Sequence, residues 1–243
     1  KKQLASSLRN FPAYSQPKAD APSAQKNIRF VLGKHRKQDF IDTDMVVRNP
    51  AVPVESRFLK IARQHGVPIE NEATLFFKYC KSKNIIGVTG TRGKSTTAYL
   101  IWLFLKAWFR KHPRKKKSRV FIGGNIRSSV LDFLNNLTKD DIVVLELSSF
   151  QLHDLIHDTW FSRKDCRAPQ IAVITNIMRD HLNWHGTMRA YIKAKRGIVR
   201  YQTPGDIVIA NGLDPAVRQM LKGVRSRVRF PKLPPDWRNL IDE

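Results

Sequence analysis

Short β-branched runs alternate with helical patterns along most of this chain, and that alternation limits the folds open to it. The runs fall at residues 28–32, 45–48, 85–89, 120–122, 142–146, 171–175 and 207–210. Each is apolar on both faces, as strands are inside a parallel sheet covered on both sides. Helical periodicity covers 54–65, 72–81, 93–111, 188–200 and 215–221. Asp214 before Pro215 marks one helix start, an N-cap oxygen followed by a pre-set φ. The implied fold class is α/β: a mostly parallel sheet flanked by helices. With 243 residues the chain has room for one or two domains. A junction is expected near 81–84, dividing 1–82 from 83–243. Residues 11–26, rich in Pro, Ala, Ser and Gln, read as a loop.

Hydrophobic residues make up 42% of the chain, which excludes disorder throughout. Two cysteines, Cys80 and Cys166, exclude a disulfide framework and a Cys-rich zinc module, and fit a reducing cytosol. The longest apolar run, 99–105, is far short of the ~20 residues that a spanning helix needs. A soluble cytoplasmic protein with no membrane partner is the expectation. The net charge of +24 predicts attraction to polyanions: nucleic acid, acidic lipid or phosphorylated substrates. Residues 106–119 hold eight basic side chains and 218–232 hold six. Such clusters are either solvated surface or a polyanion-binding patch.

The strongest local signal is the stretch from Asn84 to Thr97, in which Gly87-Val-Thr-Gly90-Thr91-Arg92-Gly93-Lys94-Ser95-Thr96 separates a buried strand from a long helix. Glycines let backbone N–H groups turn toward phosphate oxygens with no Cβ in the way. A helix N-terminus adds partial positive charge. Lys94 would reach the β- and γ-phosphates, and the Ser95 hydroxyl would ligate Mg²⁺. The glycine spacing departs from the strict G-x-x-x-x-G-K-[ST] form, since Val88 stands six residues before Lys94. A glycine-rich turn with an incidental lysine would look much the same in isolation. Glu146 ends a later buried strand, at the carboxyl edge where open α/β sheets place their ligands. A carboxylate facing a phosphate loop suits a Mg²⁺ ion bridging ATP phosphates.

The loop resembles the G-x-x-G-T-x-G-K-[ST] variant of the Mur ligases and folylpolyglutamate synthases, with Arg92 where that family usually carries Asn. Gly123-Gly124-Asn125-Ile126, the string Leu145-Glu146-Leu147-Ser148-Ser149-Phe150-Gln151-Leu152, the segment 175–187 and Tyr191-Ile-Lys-Ala-Lys195 are similar to the D-glutamate-adding branch of the Mur ligases. The resemblance covers roughly residues 28–229. It implies a P-loop-type central domain preceded by a partial Rossmann-like domain. It also implies an ATP-dependent ligase that joins D-glutamate to UDP-N-acetylmuramoyl-L-alanine through an acyl phosphate, in peptidoglycan precursor synthesis.

The same resemblance assigns roles. Gly90, Thr91, Gly93, Lys94, Ser95 and Thr96 hold ATP; Ser95, Glu146, His181 and Lys195 serve two Mg²⁺ sites. Lys195, unremarkable in itself, matches a lysine carbamylated by CO₂. Lys94, Lys195 and His181 are the expected catalytic residues, and Asn125, Ser148 and Gln151 the expected substrate contacts. A monomer is expected. On this resemblance the family's opening nucleotide-binding strand and its C-terminal domain are expected to be missing from these residues, with 1–82 and 83–243 expected to correspond to incomplete domains. Two other functions fit: a different Mur or folylpolyglutamate-type ligase, against which the Glu-Leu-Ser-Ser-Phe-Gln-Leu string speaks, and a non-catalytic basic protein binding nucleotide or nucleic acid on the same fold.

Overall fold

The structure is a computed structural model that describes residues 29–112, 118–126, 129–157 and 168–232. The expected loop at 11–26, Cys166, and residues 113–117 of the first basic cluster lie outside the described residues. The described residues form two sheets. In the smaller, β1 (Val46–Val47) pairs in parallel with β2 (Ile69–Glu70), and α1 (Arg57–Gln64) connects them. Next comes α2 (Glu72–Tyr79), started by a capping box. The Asn71 side chain accepts from the N–H groups of Ala73 and Thr74, while the Asn71 N–H donates to the Thr74 hydroxyl.

The larger sheet contains β3 (Asn84–Thr89), β4 (Val120–Gly124), β5 (Ile142–Glu146), β6 (Ile171–Ile174), β7 (Ile207–Ala210) and β8 (Arg227–Arg229). Its order is β4-β5-β3-β6-β7-β8, and every neighbouring pair is parallel. The chain leaves β3 toward one edge and later crosses to its other side. The carboxyl end of β3, between those of β5 and β6, is therefore the topological switch point where open α/β sheets bind ligands. The connecting helices are α3 (Lys94–Lys111), α4 (Leu131–Leu134), α5 (Ser149–His157), α6 (Leu182–His185), α7 (Met188–Lys195) and α8 (Pro215–Met220). Asp214 caps α8 as its sequence promised, accepting from the N–H groups of Ala216 and Val217.

On one face of this sheet Ile85, Val143, Leu145, Ala172, Ile174, Val208 and Ala210 form a core with Phe76 and Phe77 of α2, Leu152 of α5, Tyr191 of α7 and Val217 of α8. The other face is covered more thinly. There Val88, Ala98 and Val144 are buried, with Ile86, Ile101, Trp102 and Leu105 only partly so. Strands β6 and β7 alternate accordingly between buried and half-buried residues. The expectation of strands buried on both faces is thus met fully on the first face and in part on the second.

Other differences follow from missing partners. Residues 29–32 form no strand; Phe30 is 79% and Leu32 83% exposed, and among the described residues that apolar run pairs with no strand. The helical pattern expected to reach residue 200 ends at Lys195 and continues as a 3₁₀ turn, Arg196–Val199. The segments α4, α5 and β8 had no distinct pattern in the sequence. Among the described residues no helix is long and apolar enough to cross a membrane.

Candidate active site

Strand β3 ends in the glycine loop, and two glycines make its path possible. Gly90 has φ +151°, and a Cβ there would lie 1.9 Å from the Thr175 hydroxyl oxygen. Gly93 takes the left-handed conformation, φ 78°, at the N-cap of α3. The loop is fastened to the residues that follow β6. Thr91 N–H donates to the Asn176 carbonyl at 2.9 Å and Arg92 N–H to the Asn176 side-chain oxygen at 2.9 Å. The Arg92 carbonyl accepts from the Thr175 hydroxyl and the Asn176 amide. With those two amides engaged, the donors left for an anion are the first-turn N–H groups of α3, which lack partners within a helix.

Two lysines converge on this loop. The Lys94 amine curls back to donate to the Thr91 carbonyl at 2.9 Å. The Lys195 amine, from the end of α7, donates to the Gly90 carbonyl at 2.7 Å and sits 4.7 Å from the centre of the Tyr191 ring. Burial, and then the positive charge of Lys94, pull the Lys195 pKa down to about 7 against the opposing effects of Asp180 and Glu146. Tyr191 is itself buried, and its hydroxyl pairs with the Thr91 hydroxyl at 3.0 Å.

Glu146, at the tip of β5, is 1% exposed. Its Oε1 accepts from the Asn125 side-chain amide at 3.0 Å, and the Asn125 N–H donates to the Glu146 carbonyl at 2.9 Å. Its Oε2 is buried with no hydrogen-bond partner. A buried carboxylate oxygen left without a donor is costly, and a cation would satisfy it. His181 has φ 51°, lies 3.5 Å from Asp180 and packs 4.8 Å from the Phe150 ring. Ser148 and Gln151 bond mainly to each other: the Ser148 N–H and hydroxyl donate to the Gln151 side-chain oxygen, and the Gln151 N–H donates to the Ser148 hydroxyl. Their geometry is that of a helix cap at the start of α5.

The structure therefore brings Lys94, Lys195 and Glu146 around the loop, with Asp180 close enough for its charge to reach Lys195. Among the described residues no group of three or more His, Cys, Asp and Glu is placed to hold a metal ion. A hard cation here would find Glu146 Oε2 as a protein donor and would complete its shell with phosphate oxygens and water, as Mg²⁺ commonly does. The unpartnered, buried Glu146 oxygen fits that role.

One histidine of the segment 175–187 was given no role from the sequence. His185 stacks parallel to Phe150 at 5.6 Å, and its Nε2 pairs with the Ser149 hydroxyl at 3.0 Å. Burial, and then the neighbouring His153, His181 and Lys195, push its pKa down to about 4, so the ring is neutral at pH 7. The four-residue spacing from His181 was the available signal. A cavity of about 630 Å³, lined by Lys193, Arg196, Arg200 and Arg225 among others, lies instead toward the amino ends of β7 and β8, away from the loop.

Fold and loop together define an α/β domain of the P-loop type. The family model for the Mur ligase middle domain matches residues 88–231. A UDP-N-acetylmuramoylalanine–D-glutamate ligase of Roseiflexus sp. (strain RS-1) is 48% identical over 193 residues, 79% of this chain and 38% of that protein. Its counterpart from Symbiobacterium thermophilum is 36% identical over 208 residues, 86% of this chain and 42% of that protein. Among solved structures, UDP-N-acetylmuramate:L-alanyl-gamma-D-glutamyl-meso-diaminopimelate ligase from Neisseria meningitides superposes with a TM-score of 0.50 at 19% identity. The superposition covers 80% of this chain and 60% of that one, a likeness of fold. This chain belongs to the Mur ligase family, through its middle domain. It spans about two fifths of the length of the curated relatives it matches.

Proposed function

We propose that the chain carries the ATP-binding core of a ligase that joins D-glutamate to UDP-N-acetylmuramoyl-L-alanine. The relatives bearing that name support the substrate pair, and the geometry of the loop supports the nucleotide. One observation carries the reading: two lysine amines from distant elements meet on the carbonyls of Gly90 and Thr91, with the unpartnered Glu146 oxygen within electrostatic reach.

In the proposed reaction the substrate carboxylate oxygen attacks the γ-phosphorus of ATP, the bond to the β-phosphate oxygen breaks, and ADP leaves an acyl phosphate. The D-glutamate nitrogen then attacks the acyl carbon, loses a proton and expels inorganic phosphate. First-turn N–H groups of α3 orient the phosphates, and Lys94 neutralises charge on the transferring group. Two Mg²⁺ ions, one at Ser95 and Glu146 and one at His181 and Lys195, would supply further charge stabilisation when bound. The second of these sites requires Lys195 to be anionic. Its buried amine has lone-pair character near neutral pH, so it can add to CO₂, forming a C–N bond and releasing a proton to give a carbamate. Asn125 holds Glu146 in place, and Ser148 and Gln151 shape the start of α5 beside the substrate. Residues 83–243 supply this core, and 1–82 part of a domain for the uridine nucleotide.

The test is release of inorganic phosphate from ATP by the full-length protein. The expected result is a requirement for both UDP-N-acetylmuramoyl-L-alanine and D-glutamate; turnover with another acid or amine, and none with these, would overturn the assignment.

A further inference from the structure

Helix α3 carries more apolar surface than the sheet beneath it uses. Ala98, Ile101, Trp102 and Leu105 face β3, β4 and β5. On the opposite side, one turn apart, stand Leu100, Phe104 and Trp108, exposed by 39%, 71% and 41%. A soluble surface helix normally shows polar residues there. At the carboxyl end of this ridge stand the exposed Arg110 and Lys111, whereas the Lys106 amine lies 4.3 Å from the ring of the sheet-facing Trp102. Acidic residues are missing over a long stretch: between Glu72 and Asp132 the sequence has fourteen Lys and Arg and no Asp or Glu.

We propose that the outer face of α3 is a docking surface for an anionic lipid bilayer, on which the helix lies in the interfacial plane. Leu100, Phe104 and Trp108 enter the headgroup boundary, and Arg110 and Lys111 meet lipid phosphates. The combination selects this partner. An apolar ridge flanked by cations is the pattern of interfacial helices. Juxtamembrane basic residues draw such a helix to anionic leaflets. A nucleic acid would use the cations and leave Leu100 and Phe104 without a role. A second copy of the chain would bring like charges together. A bilayer-spanning segment is not required, so a peripheral mode is open although none was expected from the sequence.

The test is co-sedimentation of the chain with vesicles of phosphatidylglycerol and phosphatidylcholine in equal parts, against pure phosphatidylcholine, at low and high salt. The expected result is partitioning at least tenfold stronger onto the anionic vesicles, weakened by salt, with a blue shift of tryptophan emission. Phe104→Glu with Trp108→Glu should lower that partitioning at least tenfold while circular dichroism stays unchanged. Leu100→Glu alone should lower it by a smaller factor, and serves if the double variant misfolds. Absence of partitioning onto anionic vesicles overturns the proposal, as does equal partitioning by the variants. Retention on an RNA homopolymer without retention on vesicles overturns it, and so does self-association that the double variant abolishes in a chain that ignores vesicles.

Discussion

The Lys195 amine donates to the Gly90 carbonyl across 105 residues of sequence, at 2.7 Å. The end of α7 is thereby tied to the phosphate loop, in a spot 1% exposed to solvent. Replacing Lys195 with Ala removes both that tie and the group proposed to become a carbamate. Phosphate release should fall by roughly 100-fold, the scale of losing one electrostatic stabiliser of a transferring group. Added formate or acetate should restore part of the rate by supplying the missing carboxylate. Full activity of Lys195→Ala without rescue would contradict the assignment.

Lys94 bridges the loop to the place where phosphates would lie. In Lys94→Ala the affinity for Mg-ATP, measured by titration calorimetry, should weaken by roughly tenfold or more, the worth of one charge-assisted contact. The melting temperature without nucleotide should change little, because the amine donates to the Thr91 carbonyl within the loop itself, three residues away in sequence.

Gly90 and Gly205 offer a matched pair. A methyl group at Gly90 would collide with the Thr175 hydroxyl at 1.9 Å, displacing the donor to the Arg92 carbonyl. At Gly205 the nearest atom would be the Thr203 hydroxyl oxygen at 3.6 Å, an ordinary contact. Gly90→Ala should lower the melting temperature by several degrees and abolish detectable nucleotide binding, whereas Gly205→Ala should leave both nearly unchanged. Equal behaviour of the two variants would mean that the loop path is adjustable.

Asp141 anchors the approach to β5. Its side chain, 1% exposed, accepts from the Arg119 backbone and guanidinium and from the Thr138 N–H and hydroxyl. Burial raises this carboxyl, but those donors outweigh it and hold the pKa well below the usual carboxylate range. A depressed folded-state pKa stabilises the fold above the unfolded value of ~3.9, and that contribution is lost as pH falls toward the folded value. Thermal unfolding of the parent should therefore steepen its loss of stability below about pH 4. Asp141→Ala should cost about 2 kcal/mol at pH 7, a fall of roughly 5 °C in melting temperature, and should show a smaller acid-dependent loss.

Much of the fold was legible because local rules and tertiary packing agree. Strand β5 spans Ile142–Glu146 and β7 Ile207–Ala210, as their β-branched runs require, and Asp214 caps α8. The loop was legible because glycines, a lysine and a helix start coincide within ten residues. What stayed hidden depends on partners distant in sequence. Nothing local in residues 29–32 shows that no strand among the described residues lies beside them. The burial of Lys195 comes from the way α7 packs under the loop, which no pattern within α7 encodes. The parallel stacking of His185 on Phe150 joins two segments 35 residues apart in the chain. The apolar outer ridge of α3 was visible as composition, while its exposure required the fold.

A crystal structure with a non-hydrolysable ATP analogue and Mn²⁺, located by anomalous scattering, bears most directly on the phosphate cradle. The expected map places the triphosphate against the N–H groups of residues 93–96, with Mn²⁺ bonded to Glu146 Oε2. A triphosphate bound elsewhere, or Mn²⁺ remote from Glu146 with the nucleotide in the loop, would contradict it.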